Sequence, residues 1–291
     1  MVESKFHNPV LLETAIKIIK PKFCESYLDL TAGYGGHARA FLGITKNYGG
    51  SVLVDRDAFA IQQLGDFKEL GAEIANQNFL AAARELVAEK RRFDIILMDI
   101  GVSSPQLDNS ERGFSFSKPG PLDMRMDRRQ SLSADTVVNT WGESELTDIF
   151  VEYGEEARAF SRTVAKSIVQ NRPIVDTVQL AKLVSDLSRR KQRVHPATRI
   201  FQAIRIAVND ELGELSGTLE LLPELLNPGG RVGIISFHSL EDRLVKQYFR
   251  SQASLGLEST FEPVTKKPIS GGDHDENPRA RSAKLRVYRR I

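Results

Sequence analysis

Apolar positions in the first hundred residues switch repeatedly between two periods. Leu11, Ala15, Ile18 and Ile19 recur at helical spacing, and Asn8-Pro9 ahead of them reads as an N-cap followed by proline at the first helical position. Short apolar runs at 26–30, 51–55, 72–75 and 94–99 then read as strands, with helical stretches between them. Strand–helix alternation of this kind builds a parallel sheet through right-handed crossovers. From 140 to 222 the period is helical. Phe160, Val164 and Ile168 share one face, as do Leu180, Leu183 (or Val184) and Leu187. A long helix is expected from Phe201 through Ile204, Val208, Leu212, Leu215 and Leu219, ended by Pro223 and Asn227-Pro-Gly-Gly230. Thr140-Trp-Gly-Glu143 and Asp176-Thr-Val-Gln179 fit helix start signals. The strand pattern returns at 231–236 and again at 284–288, and the Gly-, Pro-, Ser- and charge-rich segment 251–281 reads as a long surface loop. The expectation is one α/β domain formed by 1–105 and 216–291, interrupted by an inserted helical domain at 106–215.

The junction at the start of that insertion is the most informative stretch. The apolar run Ile95-Ile-Leu-Met98 reaches Asp99 and stops in Gly101, Ser103, Ser104 and Pro105, and residues 106–129 contain little that predicts a core. Long segments without regular structure are uncommon in compact domains and usually functional when ordered. A buried strand that delivers a carboxylate to such a segment reads as the rim of an active site. Phe114, Phe116, Met124 and Met126 lie among Arg112, Lys118, Arg125, Arg128 and Arg129, which suits either base stacking with phosphate contact or a small satellite core.

Composition narrows the class without naming it. The 291 residues are 41% hydrophobic and 27% charged, as in an ordinary globular protein, and no apolar run is long enough to span a membrane. Residues 1–7 lack the apolar region of a secretory signal, and Cys24 is the sole cysteine, so a reducing cytoplasm is expected. Net charge is only +2, but Arg189-Arg-Lys191 with Arg193 form one basic cluster, and Arg279, Arg281, Lys284, Arg286, Arg289 and Arg290 form another. Such clusters on a nearly neutral chain suggest a local polyanion footprint, against the plainer reading of a solvated basic face.

A strand runs into a glycine-rich turn at Tyr27-Leu-Asp-Leu-Thr-Ala-Gly-Tyr-Gly-Gly-His37. Glycines there would let the backbone approach a ligand, and the following helix N-terminus would offer N–H donors. Val52-Leu-Val-Asp55 ends the next strand in an acid placed to accept from ribose hydroxyls. Gly33-x-Gly35-x-x-Ala38 satisfies the dinucleotide fingerprint, a weak pattern alone, and a hydride-transferring NAD-type oxidoreductase remains an alternative. Asp29, four residues before Gly33, suits an S-adenosylmethionine site in which the acid meets the methionine end of the cofactor. That cofactor also accounts for the strand ending at Asp99, and is preferred. Ser236-Phe-His-Ser-Leu-Glu-Asp-Arg243 follows the returning strand, so His238, Glu241 and Asp242 reach the same sheet edge. With no second His or Cys cluster at ligand spacing, helix capping and positioning are expected there, and no metal. No Gly-x-Ser-x-Gly elbow makes Ser103 a nucleophile.

Taken together these segments resemble the ribosomal RNA small subunit methyltransferase H family (RsmH, also called MraW). The resemblance covers nearly the whole chain. It includes His7-Asn-Pro-Val-Leu-Leu-Glu13, Gly33-Tyr-Gly-Gly-His37, Met98-Asp-Ile-Gly-Val-Ser-Ser-Pro-Gln-Leu-Asp108, Arg112-Gly-Phe-Ser-Phe116 and Pro121-Leu-Asp-Met-Arg-Met126. Tyr153-Gly-Glu-Glu156, His195-Pro-Ala-Thr198, the run from Phe201 to Leu212, Ser236–Arg243 and the run from Asn277 to Arg286 complete it. It implies a class I, Rossmann-like methyltransferase domain with an inserted, RNA-facing helical domain. It also implies S-adenosylmethionine-dependent methylation of the exocyclic N4 amine of a cytidine in 16S ribosomal RNA, at the P site of the decoding centre. The partner is then 16S ribosomal RNA, free or in the small ribosomal subunit, with oligomeric state open and a homodimer included. Family cofactor contacts fall on Gly35, Gly36, His37, Asp55, Phe79, Asp99 and Gln106, with Phe79 in an adenine-stacking position. The turn departs from the family at Ala32 and Tyr34, where Leu and Gly are usual. Asp99 and His238 are the candidates to flank the target base, since the Asp/Asn-Pro-Pro-aromatic turn of many amino-methyltransferases is missing. A catalytically silent ribosome assembly factor is a further alternative, disfavoured by the complete set Asp29, Gly35, Asp55 and Asp99.

Overall fold

The computed structural model describes residues 9–188, 195–254, 256–274 and 280–291. Asn8 and the motif start at His7, the cluster at Arg189, Arg190, Lys191 and Arg193, and Arg279 lie outside the described residues. The described chain divides into two compact units, one formed by residues 1–101 and 212–291, the other by 102–211.

The first unit is built on a sheet of eight strands among the described residues. They are β1 (Tyr27–Asp29), β2 (Val52–Val54), β3 (Glu73–Ala75), β4 (Phe93–Asp99), β5 (Leu226–Ser236), β6 (Phe261–Pro263), β7 (Ile269–Ser270) and β8 (Lys284–Arg290). Their order is β3-β2-β1-β4-β5-β8-β6, with β7 also paired to β8. β1 through β5 run parallel, whereas β8 is antiparallel to β5, β6 and β7. The central strands read as continuous apolar runs because both of their faces are covered. Leu28, Ile96, Met98, Val232 and Ile234 point into one core, and Tyr27, Ile95, Leu97 and Ile235 into the other. From β1 the chain proceeds outward to β2 and β3, then returns to β4 on the far side of β1. Open α/β sheets bind ligands at such a reversal, outside the carboxyl ends of the strands.

The second unit is helical, with helices Ala134–Thr140, Glu143–Glu152, Arg158–Gln170, Thr177–Leu187 and Ala197–Asn209 around a core that includes Phe150, Val164, Ile168, Leu180, Val184, Ile200 and Ile204. Asp176 caps as expected, accepting from the Gln179 amide at 2.7 Å.

Several expectations are corrected. Thr140 ends a helix instead of starting one. The next helix begins at Gly142, whose N–H donates to the Glu145 carboxylate at 2.7 Å. The single long helix is two, Ala197–Asn209 and Glu211–Leu225, separated by Asp210 at φ 48. Pro223 lies inside the second of these, and Asn227-Pro-Gly-Gly230 falls within β5, where the register with β4 shifts. The segment 251–281 is no plain loop, because β6 and β7 both dock on β8. Residues 106–129 also help build a core. Phe114, Leu122, Met124 and Met126 are buried in the helical unit, and Phe116 packs on Phe201 and His195, so the satellite-core reading holds over base stacking. The buried Arg112 permits this by donating to the carbonyls of Arg125 and Met126, each at 3.1 Å. Asn209 accepts from the Met126 amide and donates to the Met124 carbonyl, both at 2.8 Å.

Candidate active site

The reversal between β1 and β4 gathers the polar groups. Asp29 ends β1 and is 1% exposed. It accepts from the Tyr27 hydroxyl at 2.7 Å and from the Thr31 amide at 3.1 Å. Burial pushes its carboxyl up to about 6, against the Tyr27 hydroxyl, His37 and the Thr31 amide, which favour the anion. Asp55, just past β2, accepts from the Gly33 amide at 2.8 Å and from the Asp57 amide at 2.8 Å. Burial raises it to about 6 as well. The acid and the glycine turn, 22 residues apart, are therefore one structure. Asp99 ends β4 with its own amide donating to the Thr31 hydroxyl at 2.6 Å. One of its carboxylate oxygens lies 3.5 Å from His37 Nε2, and the other is buried with no hydrogen-bond partner among the described residues. His37 sits in the first turn of helix Gly36–Thr45, 6% exposed, with neither ring nitrogen hydrogen-bonded among the described residues. Buried polar groups are nearly always bonded, so exceptions mark places where something else completes the set.

Packing also constrains the glycines of this turn. Gly35 has φ +78, and a Cβ there would lie 2.5 Å from the Phe67 ring, while one at Gly36 would lie 2.4 Å from Pro9. Both are required by packing within the unit, whereas a Cβ at Gly33 would meet nothing nearer than the Thr31 carbonyl at 3.9 Å. Tyr34, the departure from the family, meets Phe59 edge-on at 6.1 Å between ring centroids.

Phe79 begins helix Phe79–Ala88, capped by Asn78, and is 8% exposed in the core with the Arg56 guanidinium 5.6 Å from its ring centre. Arg56 pairs in turn with the buried Glu214. Gln106 belongs to the helical unit, where its side chain accepts from the Ser103 amide at 2.9 Å in a capping box. His238 lies three residues beyond Ile235, the β5 partner of Asp99. It caps helix Ser239–Ala253. Its Nδ1 accepts from the Glu241 amide at 3.5 Å, and its Nε2 lies 3.0 Å from the fully buried Glu241 carboxylate. That carboxylate also accepts from the Phe237 and His238 amides, so capping is the observed role of this motif.

Sequence reasoning missed Tyr27 and Thr31. Tyr27 shares a strand face with Asp29 at a separation of two, and an aromatic hydroxyl in an otherwise aliphatic strand was the available signal. Most of the described cations of the C-terminal cluster have partners within the chain. Asp242 takes Arg286 at 2.7 Å and Lys284 at 3.1 Å, Arg289 pairs with Glu262, and Arg290 donates to the Leu226 carbonyl, leaving Arg281 exposed. Burial acts to raise Asp242, but these two cations hold it below the ordinary carboxylate range.

Three carboxylates with an imidazole surround the strand reversal. They would repel a pyrophosphate, whereas they match a cofactor whose edge groups are an ammonium and ribose hydroxyls. The sheet order, with one antiparallel strand seated between β5 and β6, and this acidic reversal define a class I methyltransferase domain. The MraW methylase family model matches residues 4–291, and the chain belongs to that family. Proteins named ribosomal RNA small subunit methyltransferase H are similar over nearly all of its length. That of Acidobacterium capsulatum is 44% identical over 98% of this chain and 99% of its own. Those of Crocosphaera subtropica and Rippkaea orientalis are 45% and 48% identical, over 98% and 91% of this chain and 89% and 86% of theirs. The cofactor is S-adenosylmethionine, whose ammonium and ribose donors fit the acceptors just described. Among the described residues no helix is long and apolar enough to cross a membrane.

Proposed function

We propose that this protein methylates the exocyclic N4 amine of a cytidine in 16S ribosomal RNA, at the P site of the decoding centre, as part of the small ribosomal subunit or its precursor. In this reading Asp55 receives the ribose, Asp29 the methionine amine, and Gly35, Gly36, His37, Phe79, Asp99 and Gln106 complete the cofactor contacts. The helical unit faces the RNA. The relatives' shared name supports the RNA substrate, and the observation that carries the chemistry is the unpartnered Asp99 oxygen at the end of β4.

When bound, S-adenosylmethionine supplies an electrophilic methyl group. The cytosine amine is a poor nucleophile because its lone pair is delocalised into the ring. Asp99 answers this by accepting from an amine N–H, which favours a pyramidal nitrogen and stabilises the positive charge that develops there. Its backbone is fixed by the Asp99 amide, which donates to Thr31, and its second carboxylate oxygen lies 3.5 Å from His37 Nε2. Orientation then accounts for several kcal/mol of the barrier. His238, held by Glu241 at the next strand end, walls the base pocket in this reading. Mass spectrometry of 16S RNA from a deletion strain, before and after complementation, tests the proposal. The methyl mark on the N4 of one decoding-centre cytidine should vanish and return. Its persistence in the deletion strain, or restoration at another atom, would overturn the assignment.

A further inference from the structure

One buried group near the strand reversal has no part in the chemistry above. The Tyr27 side chain is fully buried, stacked on Phe41 at 5.1 Å between ring centroids and 9° between planes. Its hydroxyl makes one hydrogen bond, to Asp29 at 2.7 Å. A core position filled for packing alone would take phenylalanine without loss, because a hydroxyl in an apolar site must find a partner. Here the partner is the carboxylate that the reading above assigns to the cofactor's amine.

We propose that Tyr27 is a positioning residue for cofactor recognition: its hydroxyl orients Asp29 and keeps it anionic, so that the strand end binds the ammonium of the methionine moiety. This rests on the assignment of Asp29 to that amine. Three neighbours bear on Asp29 besides Tyr27. The Thr31 amide donates to the other oxygen, while His37 on helix Gly36–Thr45 opposes, and Asp99 on β4 reinforces, the effect of burial. Burial and the adjacent carboxylate push Tyr27 well above the ordinary phenol range, so it stays a donor at every working pH. Without the hydroxyl, the Thr31 amide and His37 alone would oppose desolvation of the carboxylate, and its protonation would become easier still.

The test is calorimetric. Tyr27→Phe should bind S-adenosylmethionine about tenfold more weakly at pH 7. The loss relative to the parent at the same pH should shrink between about pH 6 and 7.5, below the range in which the cofactor's own amine loses its proton. It should bind 5′-methylthioadenosine, which lacks the amino-acid end, as the parent does. Asp29→Asn should lose affinity for S-adenosylmethionine but not for methylthioadenosine, and adding Tyr27→Phe to it should change nothing further. Equal losses for both ligands in Tyr27→Phe, or no loss, would overturn the proposal while leaving Asp29 in place. Failure of Asp29→Asn to separate the two ligands would overturn the assignment beneath it. Thermal unfolding of each variant confirms that a folded protein is being titrated.

Discussion

In the helical unit Asn209 is 2% exposed, and its amide closes three bonds inside the unit, to the Met126 amide and to the carbonyls of Met124 and Arg205. In the sheet unit His37 is 6% exposed, and neither of its nitrogens is hydrogen-bonded. The contrast extends beyond this pair, although the Ser161 hydroxyl of the helical unit is also buried without a hydrogen-bond partner among the described residues. Arg112 and Arg172 in the helical unit donate to backbone carbonyls, and Gln130 bridges the carbonyls of Leu132 and Val208. At the sheet edge, two acids are held near 6 by burial and Asp99 keeps one oxygen unbonded. Polar burial in the first region replaces regular structure that a loop cannot make. In the second it leaves acceptors ready for groups that the chain does not contain.

The largest expected effect comes from the unfinished edge. Asp99→Asn should lower turnover at saturating cofactor by about 10²–10³, the usual loss when one preorganised polar group at a reacting centre is removed. Single-turnover methyl transfer to the RNA substrate measures it, and retention of activity within a few fold would remove Asp99 from the chemistry. The corresponding cut in the helical unit should act on stability alone. Asn209→Ala strands an amide and two carbonyls, so unfolding in urea should show a loss of about 3 kcal/mol. Cofactor affinity, measured by calorimetry, should be unchanged. A weakened cofactor site in that variant would break the contrast.

A pH series sharpens it further. Asp29 has a folded value near 6 against about 3.9 unfolded, so between these values the folded state binds more protons than the unfolded one. Its contribution to stability is complete below pH 4, falls as pH rises to 6, and is flat above. The total change is on the order of 3 kcal/mol. Asn at this position cannot titrate. The stability difference between cofactor-free parent and Asp29→Asn should therefore move against the parent across pH 4–6, and a difference independent of pH would show that burial does not strain this carboxylate. The smallest effect belongs to exposed pairs. Arg289, 55% exposed beside a half-exposed Glu262, should cost under about 0.5 kcal/mol when changed to Ala, as surface ion pairs do.

Legibility in the sequence followed the same division. The strand ends at Asp29, Asp55 and Asp99 stood out because each acid closes an apolar run, and a parallel sheet places such positions on one edge. The packing roles of Gly35 and Gly36 were hidden, since Phe67 and Pro9 lie outside the turn. Residues 106–129 read as coreless because Arg112 and Arg125 dominate their composition. Hydrogen bonds from Arg112 and Asn209 to nearby backbone allow Phe114, Met124 and Met126 to be buried among them. Lys284 and Arg286 read as part of a polyanion footprint because their partner Asp242 is more than forty residues away. Asp210 splits one helical pattern in two by adopting a left-handed backbone, which Asp tolerates and apolar periodicity does not reveal.

β4 has its own consequence for how this molecule is made. Its neighbours are β1, written more than sixty residues earlier, and β5, written more than a hundred residues later. During synthesis the strand Phe93–Asp99 emerges with one side paired and the other an open apolar edge, the kind of surface that invites pairing with a stranger. Closing the gap costs little entropy, since each doubling of a loop adds only about 0.6 kcal/mol. It does cost time: the helical unit must pass through the ribosome before the edge can be capped. The strand that presents Asp99 thus waits for more than a hundred further residues to be made before its second neighbour exists.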